Sequence, residues 1–158
     1  MINIKKLHSC DSHFFKQLIL DEDAYFEDFK NLGWSEDQIN SQLNSKINLS
    51  YGLFDQGLLI AFLLGNLICI EKESEYEILL IYVCKKFRKR GIGTKLLKEV
   101  EKNKTKNYLK KIYLEVSKKN NEGISFYNRM NFKKLHTRKN YYKISNINID
   151  ADILFKKI

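Results

Sequence analysis

Arg88-Lys89-Arg90-Gly91-Ile92-Gly93-Thr94 is the stretch that decides the fold of this chain. It follows the apolar run 78–83 and precedes a helix-like segment that begins at Lys95. We therefore expect a strand that turns through two glycines into a helix. The first N–H groups of a helix lack internal partners, and the helix dipole adds about half a positive charge there. Because glycine lets a ligand approach the backbone closely, the stretch predicts a phosphate cradle flanked by three cations.

The same residues exclude two other phosphate-binding motifs. A dinucleotide fingerprint needs a third glycine where this chain has Leu96. A P-loop needs Gly-Lys-Ser/Thr four residues after a glycine, and the stretch does not contain it. An ordinary strand–helix turn with solvated basic residues is the alternative interpretation.

Composition favours one globular domain over residues 1–158, with 44% hydrophobic residues. The cysteines are odd in number and form no Cys-x-x-Cys pair: Cys10, Cys69 and Cys84. We expect them to be buried and reduced, with no disulfide framework and no metal site. The longest apolar run, 58–70, is too short to span a bilayer, and the first residues lack signal-peptide order. These features predict a soluble, cytoplasmic protein.

Positive charge is concentrated in one segment. The net charge is +9, and residues 85–111 hold twelve lysines and arginines against two glutamates. Such a field suits a polyanion, which could be a nucleotide cofactor, RNA or a ribosomal surface. A compositional bias toward Lys, Asn and Ile explains part of the lysine content, but not the cluster at the turn.

Hydrophobic periodicity predicts alternating segments of strand and helix. Strands are expected at 2–7, 51–54, 58–70, 75–83, 111–117, 132–142 and 149–157. Helices are expected at 12–20, 35–46, 91–106 and 121–130. Asn120 or Asn121 is expected to cap the last helix, and Asn131 to end it in a left-handed conformation. The order predicts a mixed α/β (α+β) domain with a mostly antiparallel sheet of about seven strands and about four helices.

From residue 77 onward the chain resembles the GCN5-related N-acetyltransferases. Their phosphate-binding motif, Arg/Gln-x-x-Gly-x-Gly/Ala, is matched by Arg88, Gly91 and Gly93. Further segments resemble the RimI-type ribosomal-protein-alanine N-acetyltransferases: Leu114-Glu115-Val116, Asn120, Ser125-Phe126-Tyr127, Met130-Asn131-Phe132 and Arg138-Lys139-Asn140-Tyr141-Tyr142. The first 70 residues match loosely, where Trp34-Ser35 is similar to a helix start of that branch. The resemblance implies a twisted sheet whose central strands splay apart.

The resemblance also implies acetyl-coenzyme A as the cofactor, with no metal. The strand backbone would pair with the pantetheine arm, residues 89–94 would hold the pyrophosphate, and Asn120 would contact the pantetheine region. The implied cofactor-binding residues are Ile81, Tyr82, Val83, Arg88, Lys89, Arg90, Gly91, Ile92, Gly93, Thr94 and Asn120.

Glu115 matches the general base of the family and Tyr127 its general acid. Glu115 is otherwise an exposed strand carboxylate, and Tyr127 an aromatic ring packed against Phe126 and Phe132. Protonation of a thiolate by a tyrosine is uphill by roughly 2 kcal/mol on reference pKa values, so we expect Tyr127 to act through a hydrogen bond. The implied substrate-binding residues are Trp34, Tyr141 and Tyr142, and cross-strand packing is the alternative for the two tyrosines.

The acceptor implied by the resemblance is a protein N-terminus, in particular the N-terminal alanine of a small-subunit ribosomal protein. Since an α-amine has a pKa near 8 and lysine one near 10.4, lysine costs about 3 kcal/mol more to deprotonate. A small-molecule amine such as a polyamine is one alternative, and a basic RNA- or ribosome-binding module is another. No membrane or specific nucleic-acid partner is expected from the resemblance. Tyr82 replaces a smaller residue at the expected strand bulge, where it is predicted to crowd the acceptor side.

Overall fold

A computed structural model of the protein describes residues 2–21, 34–144 and 146–158. Its strands form one seven-stranded sheet in the order β1-β2-β3-β4-β5-β7-β6. The strands are β1 Asn3–Leu7, β2 Ser50–Asp55, β3 Leu58–Ile70, β4 Glu73–Val83, β5 Leu109–Ser117, β6 Lys133–Ile144 and β7 Ile147–Lys157. All neighbours pair antiparallel except β4 and β5, which are parallel. The predicted mixed, mostly antiparallel fold is confirmed.

Helices cover the sheet and close its core. They are α1 Ser12–Asp21, α2 Glu36–Leu43, α3 Ile92–Glu101, the single turn α4 Asn103–Lys106 and α5 Asn121–Arg129. Short 3₁₀ turns lie at Ser9–Asp11 and Lys85–Phe87. None of the helices in the described ranges is long and apolar enough to cross a membrane.

Local sequence explains most of these boundaries. The β2–β3 hairpin turns at Gln56 and Gly57, whose φ angles are +50° and +83°, as a two-residue hairpin of the type I′ class requires. The Ser35 hydroxyl accepts a hydrogen bond from the Gln38 backbone at 3.2 Å and so caps α2, which begins where the helix was expected. That helix ends at Leu43 rather than near residue 46, and the Asn48 side chain donates to the Leu43 carbonyl beyond its last turn.

The predicted helix 91–106 is interrupted at Lys102. Asn103 causes the interruption: it is buried, and its side-chain amide donates to the Val100 carbonyl at 2.8 Å and to the Tyr51 hydroxyl at 3.2 Å. An asparagine that bonds backbone carbonyls competes with regular helix hydrogen bonds. The preceding α3 packs against β2, β3 and β4 through Ile92, Leu96, Leu97 and Val100.

The central strands β4 and β5 diverge. β3 pairs with β4 as far as Val83, whereas the pairing of β4 with β5 runs from Ser74 to Ile78. On β4 the register against β3 skips Leu79, which forms a bulge. A gap therefore opens between Leu79–Val83 of β4 and the end of β5.

Two sequence predictions are wrong. First, the bulge lies at Leu79 and not at Tyr82. Tyr82 is 4% exposed, and its ring centre lies 5.7 Å from that of Phe62, so it packs in the core instead of crowding the acceptor side. Strand alternation sends Tyr82 to the buried face of β4. Second, only one of the three thiols is buried as expected, that of Cys84. Cys10 and Cys69 are exposed, and Cys69 is exposed because it lies at the solvent end of β3.

Candidate functional site

The glycine-rich stretch forms a turn suited to an anion. Lys89 and Gly91 both have left-handed backbones, with φ angles of +60° and +74°. The first helical hydrogen bond runs from the Lys95 N–H to the Gly91 carbonyl, so the N–H groups at positions 92–94 precede regular pairing. Successive N–H groups in such a turn form a concave anion site. Lys89 and Arg90 are exposed beside it.

Arg88 has a different position from its flanking cations. Its Nε donates to the Val83 carbonyl at 2.9 Å, and its guanidinium lies 5.7 Å from the Tyr82 ring centre. These contacts fasten the turn to the end of β4. The structure therefore gives Arg88 a bracing contact, while its predicted part in phosphate binding stays a prediction.

The cradle and the gap between β4 and β5 adjoin. A Cβ built on Gly93 would lie 3.3 Å from the Phe126 ring and 3.8 Å from Ile81 Cδ1, so α3, α5 and β4 meet at this glycine. Within the described residues, the pairing of β4 with β5 ends at Ile78, so β5 does not continue alongside Leu79–Val83. Such an edge can accept an extended chain carrying amides, as an added strand would. Residues 81–83 and 91–94 therefore fit a ligand with an amide-bearing arm and a phosphate end, as coenzyme A has.

Glu115 lies at the mouth of this gap. The last β4–β5 pair is Ile78 with Leu114, and Glu115 is the next residue on β5. Its carboxylate forms an ion pair with Arg138, with 2.6 Å between Oε1 and Nη1. The Glu115 side chain is 22% exposed and that of Arg138 50% exposed. A carboxylate at this position can meet both solvent and a ligand in the gap.

Tyr141 and Tyr142 lie close to Glu115. The neighbouring Glu115 carboxylate, and then burial, raise the pKa of Tyr141. Tyr142 stacks edge-on against Tyr141, with ring centres 4.9 Å apart. Burial, with lesser contributions from Glu115 and Tyr141, raises the pKa of Tyr142 to about 12. All these hydroxyls therefore stay protonated at neutral pH.

Tyr127 extends this cluster from α5. It is 6% exposed, and its ring lies edge-on to Phe126 at 5.2 Å and to Phe132 at 5.4 Å. Burial, and then the neighbouring Tyr142, raise the pKa of Tyr127 well above its ordinary value. The packing of Tyr127 against Phe126 and Phe132, which was the alternative role from the sequence, is thus present. Because its pKa is raised, the hydroxyl stays protonated and can donate a hydrogen bond. The structure brings Glu115, Tyr127, Tyr141 and Tyr142 into one connected group.

Comparison with known proteins fixes the family. The acetyltransferase (GNAT) family matches residues 15–132, which is most of the chain. The chain belongs to this family. The resemblance that the motifs indicated is therefore confirmed.

Relatives of this GNAT protein match over shorter segments. An N-alpha-acetyltransferase of Saccharolobus solfataricus is 40% identical over 63 residues, which is 39% of this chain and 38% of that protein. N-alpha-acetyltransferase 60 of Danio rerio is 41% identical over 73 residues, 44% of this chain and 30% of that protein. The alignments thus span well under half of these curated relatives.

Solved structures match the whole GNAT domain. The ribosomal-protein-S18-alanine N-acetyltransferase of Escherichia coli superposes with a TM-score of 0.81 at 23% identity, over 100% of this chain and 94% of that one. NAA60 of Arabidopsis thaliana, solved with acetyl-CoA, gives 0.82 at 20% identity, over 100% and 99%. At such identities the likeness establishes the fold.

Asn120 caps a helix of this GNAT domain. Its Oδ1 accepts from the Gly123 N–H at 2.8 Å and caps α5, as predicted. The predicted stop at Asn131 is confirmed by its φ of +65°. Contact of Asn120 with the pantetheine region stays a prediction. The cap uses only Oδ1, so the side-chain NH₂ group is available for such a contact.

Replacement of Asn120 by alanine removes this cap. We expect Asn120→Ala to lower the free energy of unfolding by about 1 kcal/mol, since the Gly123 N–H loses its partner at the helix start. Chemical denaturation measures the change. The neighbouring exposed Asn121, replaced in the same way, is the control and should change stability by only a few tenths of a kcal/mol; equal losses would contradict the cap assignment.

The predicted substrate residue Trp34 precedes the first turn of α2. It is half-buried directly before the Ser35 cap and packs against the hydrophobic core. Its part in substrate binding stays a prediction.

The sequence patterns did not single out one polar residue of the site, Arg138, and one polar residue on the same face of the sheet, Glu77. Arg138 was noted only as part of a matching segment, and its ion pair with Glu115 crosses from β6 to β5. Glu77 pairs in register with Tyr113 on the face that carries Glu115, and Asn66 Nδ2 donates to it at 3.4 Å. Period-2 alternation along β4 and β5 was the available signal for Glu77.

Proposed function

We propose that this protein transfers an acetyl group from acetyl-CoA to the α-amine of a protein N-terminus. The names of its sequence relatives support acetylation at N-terminal amines. The observation that carries the proposal is Glu115, placed where β5 leaves β4 and joined to Tyr141. The expected cofactor agrees with a structural neighbour solved with acetyl-CoA.

Acetyl-CoA supplies the acetyl group as an activated thioester. The chain's own residues would do the rest: the N–H groups at positions 92–94 would hold phosphate, and the part of β4 at 81–83 that faces the gap would orient the arm. Glu115 takes a proton from the acceptor amine, directly or through water, and leaves a nucleophile. The Tyr127 hydroxyl would donate a hydrogen bond to the sulfur of coenzyme A and keep its proton.

The charges around Glu115 favour an α-amine over a polyamine. A polycation suits a pocket with uncompensated carboxylates, whereas Arg138 neutralises Glu115 and Lys111 pairs with Glu75 at 2.8 Å. Glu77 is the remaining carboxylate of this face. A single base also suits an amine of pKa near 8 better than lysine, by about 3 kcal/mol.

For the acceptor, we propose the N-terminal alanine of a small-subunit ribosomal protein. The tyrosine pair at 141–142 and the likeness to the S18-alanine enzyme of Escherichia coli support this assignment. Mass spectrometry of that ribosomal protein from a deletion strain tests it, since the proposal expects acetylation to disappear. Unchanged acetylation in the deletion strain would contradict it.

The activity itself is tested in two steps with the purified protein. A thermal-shift assay with coenzyme A should raise the melting temperature, because a ligand that binds only the folded state stabilises it. Acetyl-CoA with a library of free N-terminal peptides should then give α-acetylated products. Spermidine as acceptor is the comparison, and preferential acetylation of spermidine would favour the small-amine alternative.

Replacement of Tyr127 by phenylalanine should lower turnover by about tenfold or less. The substitution removes one hydrogen bond to a charged group, worth about 1.5 kcal/mol, and keeps the ring packing with Phe126 and Phe132. Steady-state kinetics at pH 7 measures the change, with melting temperature as the control for packing. A loss of a thousandfold with unchanged stability would instead assign proton transfer to Tyr127.

A further inference from the structure

The guanidinium of Arg138 has donors to spare at the acceptor side of the site. Arginine carries five N–H donors in a planar fork. Nη1 pairs with Glu115 Oε1 at 2.6 Å. Half of the Arg138 side chain is nevertheless exposed. An arginine that used its whole fork to brace Glu115 would not present this surface.

The backbone around Arg138 is shaped to hold the guanidinium in place. The β6–β7 register shifts between Arg138 and Tyr142, which marks a bulge. Asn140 in that bulge has a φ of +54°, and its N–H donates to the Asp150 carboxylate at 3.0 Å. Arg138 also lies 5.3 Å from the ring centre of Tyr141. Bulges commonly redirect side chains beside active sites.

The surroundings of Arg138 are positive. Lys139 and Lys143 are exposed on the same strand, and Lys119 is exposed where β5 leads into α5. The acids of β7 are already matched, since Asp150 pairs with Lys118 and Asp152 with Lys134. This rim favours an anionic partner over a cationic one.

We propose that Arg138 forms a carboxylate-binding subsite for the acceptor, so that N-termini with Asp or Glu at the second position are preferred. The proposal rests on the proposed acetylation of N-terminal amines. With the α-amine at Glu115, the second residue begins about 3.8 Å further along the chain, one Cα spacing away. Its carboxylate then reaches the exposed edge of the guanidinium, where a bidentate contact fits.

Binding of peptides to the enzyme–coenzyme A complex tests the subsite without turnover. The probes are Ala-Asp, Ala-Asn and Ala-Lys peptides that are otherwise identical, measured by calorimetry. We expect the Ala-Asp peptide to bind about tenfold more tightly than Ala-Asn, as a charge-assisted pair would give. Arg138→Gln should abolish the difference, and Arg138→Lys should restore part of it. Lys139→Gln, which removes the adjacent exposed cation, should leave most of it.

The results separate the carboxylate-binding subsite from the proposed acetylation of N-terminal amines. Equal binding of the Ala-Asp and Ala-Asn peptides, or a preference that survives in Arg138→Gln, overturns the subsite. The kcat and KM of the same peptides are measured in parallel, and the preference should appear mainly in KM. A binding preference that depends on Arg138, without acetylation of any peptide, would leave the subsite standing and overturn the proposed function.

Discussion

Replacement of Glu115 by glutamine should lower kcat/KM about 100-fold at pH 7 and only about tenfold at pH 9. General-base assistance contributes about 10²–10⁴ to such rates. An α-amine of pKa near 8 is about one-tenth neutral at pH 7 and nine-tenths neutral at pH 9, so a variant without the base recovers about tenfold as the pH rises. Initial rates with an N-terminal peptide at saturating acetyl-CoA, measured from pH 6.5 to 9.5, give the profile.

Ionisation of the tyrosines near Glu115 does not contribute to this pH profile. Burial raises the pKa of Tyr142 to about 12, and the pKa values of Tyr127 and Tyr141 are raised as well. A raised tyrosine pKa keeps the hydroxyl neutral below it, so the interval from pH 7 to 9 reports the acceptor amine. Glu77→Gln is the matched control, because Glu77 lies on the same face of the sheet; we expect less than a threefold change. A pH-independent loss in Glu115→Gln, or an equal loss in Glu77→Gln, contradicts the assignment of the base.

Replacement of Gly91 by valine should weaken coenzyme A binding about 30- to 100-fold, the equivalent of losing one or two charge-assisted hydrogen bonds to phosphate. The φ of +74° at this position is costly for a side chain with a Cβ, and a β-branched one shifts the turn away from it. The N–H groups at positions 92–94 then no longer converge on one point. Isothermal titration calorimetry with coenzyme A measures the loss.

Gly57 provides a control with the same backbone strain. Its φ is +83°, a Cβ there would also meet no atom within 4 Å, and it lies in the β2–β3 hairpin. Gly57→Val should lower stability by about 1–2 kcal/mol, as Gly91→Val does, yet leave coenzyme A affinity unchanged. Equal weakening by the two variants would show that affinity follows global stability and not the cradle.

Short-range signals predicted much of this fold. The strand at 111–117, the neighbouring strands at 51–54 and 58–70 and the Asn120 cap are each decided by a few neighbouring residues, and each appears in the structure. The predictions that differ depend on distant partners. Asn103 interrupts the helix predicted over 91–106 because it bonds Tyr51, which lies far away in the sequence.

The sequence predicted which residues form the site better than it predicted the contacts between them. Glu115 and the tyrosines at 127, 141 and 142 were named from matching segments, and the structure joins them. The ion pair of Glu115 with Arg138 could not be predicted, because it depends on how the bulge in β6 turns the arginine toward β5. The buried position of Tyr82 follows from the alternation along β4, and the bulge lies at Leu79, which the sequence pattern did not locate.

The most direct measurement is tandem mass spectrometry of one peptide after incubation with the purified protein and acetyl-CoA. The peptide begins with alanine and carries an internal lysine, so both kinds of amine compete in the same molecule. The account predicts one acetyl group on the α-amine, formed with wild-type protein and greatly reduced with Glu115→Gln at pH 7. Acetylation of the lysine in preference to the α-amine, or no acetylation by a protein that binds coenzyme A, would contradict it.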